Sequence, residues 1–248
     1  MSNFPYRILG EPKAGNVLVV GDHASNRVPD GINLGLESGF LERHIAWDIG
    51  VEPVAQHIVK HFGFAAFLGN VSRLVVDLNR YADEAAVIPD HSDGIDIPAN
   101  RLDRRTRADR LGAFYGPYHT ELARILKEQR PAMVLSLHSF TPFLQSRPAE
   151  KRPWEIGVLY NEQEAASKLA IDFFDREGLI VGDQLPYSGK LLNATMNRHA
   201  EGNNIPYVGI EMRQDMVSNE AGHARFAQLL IDICHIVSEK LGLPPQNS

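Results

Sequence analysis

Short apolar runs rich in β-branched residues alternate along this chain with longer segments of helical periodicity, and this order restricts the possible folds. The runs predict strands at residues 16–20, 72–78, 132–138, 154–160 and 207–212. Apolar residues recurring on one helical face predict helices at about 40–62, 104–129, 162–177 and 219–241. We therefore expect one α/β domain over residues 1–248, with a mainly parallel sheet covered by helices on both faces.

The charge balance argues against several classes of partner. The chain has 25 basic and 31 acidic residues and a net charge of −6, so it offers no overall attraction to nucleic acid or to anionic membranes. The arginine-rich stretch 101–110 contains Asp103 and Asp109 and lacks interleaved aromatic residues, which favours a solvated helix start. The single cysteine, Cys234, cannot form an internal disulfide, and no apolar window is long enough to span a membrane. A cytosolic protein is expected.

Polar side chains stand where several predicted strands end, which is where ligands bind in open α/β sheets. His23 follows the first strand and His138 ends the third. Imidazole is the commonest zinc ligand among side chains, and a catalytic zinc takes three protein ligands. Asp48 is the first candidate for the third ligand, with Asp22 and Asn26 as alternatives. The two histidines alone are equally compatible with hydrogen bonding at loop entrances.

Glu211 lies at the end of an apolar run, where a carboxylate is costly to bury unless it is paired or works near a metal. It is therefore a candidate general base, which would take a proton from the attacking water and pass it to the leaving nitrogen. The alternative is a structural ion pair with an arginine such as Arg213.

Further polar residues are candidates for substrate binding. Arg73, Arg80 and Arg213 could hold carboxylates, because guanidinium groups bind them through a bidentate fork. Each arginine could instead form a structural salt bridge. Asn79 could position the substrate, or form a turn. His199 lies in a polar segment and could bind substrate or stabilise an oxyanion, or be a surface histidine.

Seven segments, taken together and in order, resemble the N-formylglutamate amidohydrolase family over about residues 15–216. They are GDHASNRVP, RHIAWDIG, SRLVVDLNR, SLHSFTP, PYSGK, NRHAEG and GIEMRQD. The resemblance implies a phosphorylase/hydrolase-like three-layer α/β/α architecture with a mixed sheet, as in the zinc carboxypeptidases and the aspartoacylase group. It also implies a zinc-dependent hydrolase that releases formate and L-glutamate from N-formyl-L-glutamate.

The resemblance assigns roles to individual residues. It implies that His23 and His138 bind the metal and that Glu211 is the catalytic glutamate. The substrate-binding residues implied by the resemblance are Arg73, Asn79 and Arg80. His199, which directly follows Arg198, corresponds to a family histidine that also follows an arginine.

One departure from the related enzymes concerns the metal. Carboxypeptidase-like and aspartoacylase-like relatives use a His-x-x-Glu pair, whereas this chain has Asn26 three residues after His23. Either Asp48 or Asp22 then supplies the missing charge, or the metal binds more weakly than in those relatives. Three alternatives stay open: hydrolysis of another N-acyl amino acid, a carboxypeptidase-like peptidase, and a metal-free binding module for an acidic metabolite. Histidine and carboxylate ligands also suit iron, cobalt or nickel.

Overall fold

A computed structural model describes residues 4–244 of the chain. The strands are β1 Tyr6–Leu9, β2 Val17–Gly21, β3 Ala65–Gly69, β4 His91–Ser92, β5 Ile95–Asp96, β6 Met133–Phe140, β7 Ile156–Leu159, β8 Val181–Asp183 and β9 Tyr207–Arg213. The α-helices are α1 Ser38–Leu41, α2 Val51–Phe62, α3 Arg104–Arg110, α4 Gly116–Gln129, α5 Ala165–Arg176, α6 Ala194–His199 and α7 Glu220–Leu241. A π-helical segment, Leu111–Tyr115, joins α3 to α4.

The main sheet has seven strands in the order β1-β3-β2-β6-β9-β7-β8. Its four central strands, β3, β2, β6 and β9, run parallel to one another. β1 pairs antiparallel with β3, and β7 pairs antiparallel with β9 while β8 runs parallel to β7. This mixed, mainly parallel sheet with helices on both faces confirms the predicted fold class.

The alternation of side chains along the central strands separates two apolar layers. In β2, Val17 and Val19 face a core that contains the buried faces of α2, α5 and α7. Leu18 and Val20 face the opposite core, which contains α4 and the irregular segment around Val75. Both faces of β2 are therefore buried, as is usual for a parallel strand between two helical layers.

The predicted strand at residues 72–78 is wrong. That run forms a series of turns and bends, although Val75 and Val76 are fully buried. A short buried apolar run has the same hydrophobic pattern whether it is a strand or an irregular core segment, so periodicity could not separate the two. The strand of this region is β3, which the sequence analysis missed.

The predicted helices agree with the structure in position and differ mainly at their first residues. The segment predicted at 40–62 becomes the short α1 and a separate α2, and α2 begins directly after Gly50, which takes a left-handed conformation at φ 91°. The predicted loop at 81–103 is irregular apart from two short 3-10 turns and the β4–β5 hairpin. None of the helices within residues 4–244 combines the length and hydrophobicity needed to cross a bilayer.

Candidate active site

The carboxyl ends of three adjacent parallel strands bring His23, His138 and Glu211 to one edge of the sheet. His138 and Glu211 are register partners on β6 and β9, and His23 follows the end of β2 by two residues. All three side chains are buried, with relative exposures of 2%, 5% and 6%. The parallel order β2-β6-β9 therefore places these three side chains side by side.

Asp48 joins this group from the loop before α2. Its backbone N–H donates to the His23 carbonyl at 2.9 Å, and its Oδ2 accepts from the Ser139 N–H at 3.3 Å. These bonds tie the loop to the ends of β2 and β6. One ligand atom from each of His23, Asp48 and His138 lies within 4.8 Å of the others, so the three could hold a metal ion.

The hydrogen bonding of the two histidines fits a metal at this position. Asp77 accepts from His23 Nε2 at 2.7 Å, which leaves Nδ1 of the same ring 3.4 Å from Asp48 Oδ2. This Nδ1 atom is buried and has no hydrogen-bond partner among the described residues. Nδ1 of His138 lies 2.9 Å from the same Asp48 oxygen. Two imidazoles and one carboxylate, with a carboxylate behind one ring, are a donor set typical of catalytic zinc.

The two alternative ligands of the sequence analysis lie elsewhere. Asp22 Oδ2 is 3.4 Å from His138 Nε2, on the far side of the ring from Asp48. The other oxygen of Asp22 accepts from the Tyr118 hydroxyl at 2.6 Å, so this carboxylate supports the histidine from behind. The Asn26 amide donates to the carbonyl of Leu41, the last residue of α1, at 3.0 Å.

The carboxylates of the site differ in pKa because their charged neighbours differ. Burial would raise the pKa of Asp48 and of Asp77, but the charges of His23 and Arg73 hold both pKa values well below their usual range. Burial instead raises the pKa of Glu211 to about 7, helped by the negative charge of Asp48 and opposed by His138. Oε2 of Glu211 is buried and finds no hydrogen-bond partner within residues 4–244. Of these three carboxylates, Glu211 is therefore the one suited to accept a proton near neutral pH.

The cluster forms the floor of a cavity of about 440 Å³. Its lining includes the predicted residues His23, Asp48, Arg73, Asn79, Arg80, His138 and Glu211. Basic side chains that the sequence analysis did not select also line it, namely His44, His91 and Arg147. The cavity wall therefore carries basic groups as well as the carboxylates of Asp48, Asp77, Asp93 and Glu211.

The two predicted arginines in the cavity are held differently. Arg73 places one nitrogen 3.1 Å from Asp48 Oδ1 and another 3.1 Å from Asp77 Oδ2. Its charge is therefore committed to the buried carboxylates. Arg80 lies 3.8 Å from Asp77 and 3.7 Å from Glu84, beyond direct hydrogen bonding. Arg80 is the freer of the two to bind a substrate carboxylate.

Arg213 and His199 lie outside the cavity. β9 continues through Arg213, but its guanidinium pairs with Asp215 at 2.8 Å and donates to the Pro153 carbonyl at 3.1 Å. His199 is buried in α6, with its Nε2 2.8 Å from Nδ1 of His119 and the two rings stacked. The structure therefore separates these two residues from the other predicted site residues.

Asp77, Arg147 and Tyr187 are among the cavity residues that the sequence analysis did not assign to the site. Asp77 precedes Asn79 by two residues, within the run interpreted as a strand, and its value as a partner of His23 depends on the turns found there. Arg147 lies in a loop outside the seven segments of the family resemblance, and Tyr187 lies in the segment PYSGK, to which the sequence analysis assigned no site residue. Asn79 itself accepts from the Thr195 N–H at 2.9 Å, while its amide nitrogen lies 3.4 Å from His138 Nε2.

The fold and the cluster define this protein as an α/β hydrolase-like enzyme with a buried centre of histidines and carboxylates. The sequence profile of the N-formylglutamate amidohydrolase family matches residues 15–218. The chain therefore belongs to the N-formylglutamate amidohydrolase family, and it is an amidohydrolase. This confirms the family resemblance noted in the sequence.

Solved structures agree with this assignment at the level of the fold. A gene product of Agrobacterium tumefaciens is 29% identical with a TM-score of 0.89, over 96% of each chain. An N-formylglutamate amidohydrolase from Ralstonia eutropha is 16% identical with a TM-score of 0.76, over 96% of this chain and 99% of that one. A bacteriophage poly-gamma-glutamate hydrolase is 11% identical with a TM-score of 0.50, over 98% and 92%. No protein of curated function matches the sequence significantly.

Proposed function

We propose that this protein is a zinc-dependent amidohydrolase that removes the acyl group from an N-acyl acidic amino acid, with N-formyl-L-glutamate as the first candidate. The observation that carries the proposal is the convergence of His23, Asp48 and His138 beside Oε2 of Glu211, which has no hydrogen-bond partner in the described part of the chain. Family membership supports the reaction class. The chain has a single cysteine, Cys234, which cannot form an internal disulfide, and this supports a reducing compartment such as the cytosol.

Each group of side chains has its own role in the proposed reaction. His23, Asp48 and His138 would hold the zinc, which as a Lewis acid polarises the amide carbonyl. Glu211 accepts the proton of the attacking water and delivers it to the nitrogen of the leaving amino acid. Arg80 binds a substrate carboxylate at the cavity wall, and this contact orients the amide over Glu211.

Replacement of the general base tests this mechanism. Glu211→Gln keeps the size of the side chain and removes its ability to take a proton, so we expect a loss of about 100-fold or more in kcat. Zinc binding should persist, because Glu211 is not among the proposed ligands. Turnover at the wild-type rate in Glu211→Gln would contradict the assignment of the base.

The proposed contact between Arg80 and the substrate carboxylate can be tested with a matched control variant of the same chain. We expect Arg80→Gln to raise KM for acidic substrates by about 10- to 100-fold, the equivalent of one charge-assisted hydrogen bond. Arg213→Gln makes the same charge change outside the cavity and should leave KM unchanged. Equal effects of the two substitutions would show that Arg80 acts only through net charge.

A second candidate substrate class follows from the size of the cavity. Its volume of about 440 Å³ falls within the range of roughly 300–1,000 Å³ that accommodates much larger ligands than formylglutamate. Longer acyl groups are therefore compatible with the site. The test is to compare kcat/KM for the N-formyl, N-acetyl and N-butyryl derivatives of L-glutamate. N-Formyl-L-leucine, whose side chain is uncharged, is the control. The comparison shows whether the enzyme prefers the formyl group or a longer acyl group.

A further inference from the structure

The partly buried Tyr187 and the buried Arg152 form a pair beside the proposed general base that the mechanism above does not use. Tyr187 lines the cavity together with Glu211. Arg152 does not line it, and its side chain is only 1% exposed. A buried arginine carries a large desolvation cost, so its partners indicate what its charge is needed for.

The guanidinium of Arg152 contacts the phenol side chain of Tyr187 in two ways. Its Nη1 donates to the Tyr187 hydroxyl oxygen at 3.0 Å, and its guanidinium lies 5.1 Å from the centre of the Tyr187 ring. Glu150 balances the charge by accepting from Nε at 2.9 Å. The guanidinium therefore fixes both the ring and the oxygen of Tyr187.

This contact decides which role the Tyr187 hydroxyl can take. Arginine has only donors, so the phenolic oxygen is the acceptor in the Arg152 bond and the phenolic hydrogen stays available. Among the described residues, that hydrogen has no acceptor. Burial raises the pKa of Tyr187, and the charge of Glu211 adds to this effect, so the phenol is a neutral donor at neutral pH.

Backbone packing brings the Tyr187 segment close to Glu211. Gly157 is the register partner of Glu211 on the neighbouring strand β7. A Cβ atom on Gly157 would lie 2.3 Å from the Leu185 carbonyl oxygen and 3.3 Å from Glu211 Cβ. The chain two residues before Tyr187 therefore packs directly against the strand pair that carries the base.

We infer that Tyr187 donates its phenolic hydrogen to the oxygen of the scissile carbonyl as that oxygen gains negative charge during hydrolysis. Arg152 is its positioning residue, and by withdrawing charge from the phenolic oxygen it strengthens the donor. The inference rests on the proposed function, since it assumes that Glu211 activates water in this cavity. A donor of this kind acts in the transition state more than in substrate binding.

Steady-state kinetics of Tyr187→Phe tests the inference on an N-acyl amino acid that the wild-type enzyme cleaves. We expect kcat to fall about 100-fold with little change in KM, as for loss of one oxyanion donor. The control is Tyr160→Phe, which removes a hydroxyl bonded to Asp183 at 2.7 Å and Lys168 at 2.6 Å, outside the cavity. A raised KM with unchanged kcat would overturn the inference, because it would place Tyr187 on a substrate carboxylate.

Parallel measurements separate failure of the inference from failure of the proposed function. Loss of turnover in Glu211→Gln with a wild-type kcat in Tyr187→Phe would refute the inference alone. Wild-type turnover in Glu211→Gln would refute the proposed function instead. Arg152→Met should lower kcat in the wild-type background and have no further effect in the Tyr187→Phe background. Additive losses would contradict positioning through Tyr187.

Calorimetry gives a readout that does not depend on turnover. N-Phosphono-L-glutamate carries a charged tetrahedral group in place of the formyl carbon and mimics the developing oxyanion. We expect Tyr187→Phe to bind this probe about 10- to 100-fold more weakly than the wild-type enzyme, while L-glutamate binds both equally. Equal affinity of both proteins for the probe would overturn the inference even if no substrate were cleaved.

Discussion

Asp77 provides a sharp test of how the site is built, because it supports the proposed metal centre without being one of the proposed ligands. One of its oxygens accepts from His23 Nε2 at 2.7 Å, and the other lies 3.1 Å from Arg73. Asp77→Asn keeps the shape but removes the charge and one acceptor. The single amide oxygen that remains can lie next to His23 or next to Arg73 but not next to both, and the negative charge beside both side chains is lost. Removal of such a partner lowers metal affinity about 10- to 100-fold, which equals about 1.4–2.7 kcal/mol.

The assay is competition for zinc between the protein and a chromophoric chelator, at constant pH and ionic strength. Asp215→Asn is the matched control, because Asp215 also pairs with an arginine, at 2.8 Å, but outside the cavity. Thermal unfolding of each variant shows whether a change in affinity reflects loss of the fold. A zinc Kd for Asp77→Asn equal to that of the wild-type protein and of Asp215→Asn would refute the argument.

Two further predictions concern stability. In Gly69→Ala the new Cβ would lie 2.0 Å from the Asp22 carbonyl oxygen, so we expect a loss of about 1–3 kcal/mol in urea unfolding. Gly112→Ala, where the Cβ meets nothing within 4 Å, should cost nothing, and equal behaviour of the two variants would refute the packing argument. Burial lowers the pKa of His119 to about 3 and that of His199 to about 4. The unfolded chain therefore binds their protons first, and as pH falls from about 6.5 to 4 each histidine should remove about 1.4 kcal/mol per pH unit from the free energy of unfolding. The double variant His119→Gln, His199→Gln should have a correspondingly shallower pH dependence, and an unchanged slope would contradict neutral burial.

The parts of the fold with a strong local signal could be predicted from the sequence. β2, β6 and β9 are largely apolar runs buried on both faces, and the polar residues that follow or end them, such as His23, His138 and Glu211, meet because parallel strands share one edge. Helices α4 and α7 were predicted from their apolar periodicity. β3 was missed because its Ala-rich run lacks the β-branched residues of a typical strand.

The remaining parts of the site depend on tertiary geometry that no local pattern encodes. The position of Asp77 behind His23 depends on the turns at residues 72–78, which are indistinguishable by hydrophobicity from a buried strand. Arg213 is two residues from Glu211 on the same strand, yet its long side chain turns back to Asp215. Arg152 and Tyr187 come from separate loops, so their pairing appears only in the folded chain.

The central claim, a zinc-dependent amidohydrolase, is tested most directly by one experiment on the purified protein. Metal content is measured together with formate release from N-formyl-L-glutamate, before chelation, after chelation and after return of zinc. The account predicts near-stoichiometric zinc, loss of formate release on chelation and its recovery with zinc. Undiminished formate release from protein that carries no metal would contradict it.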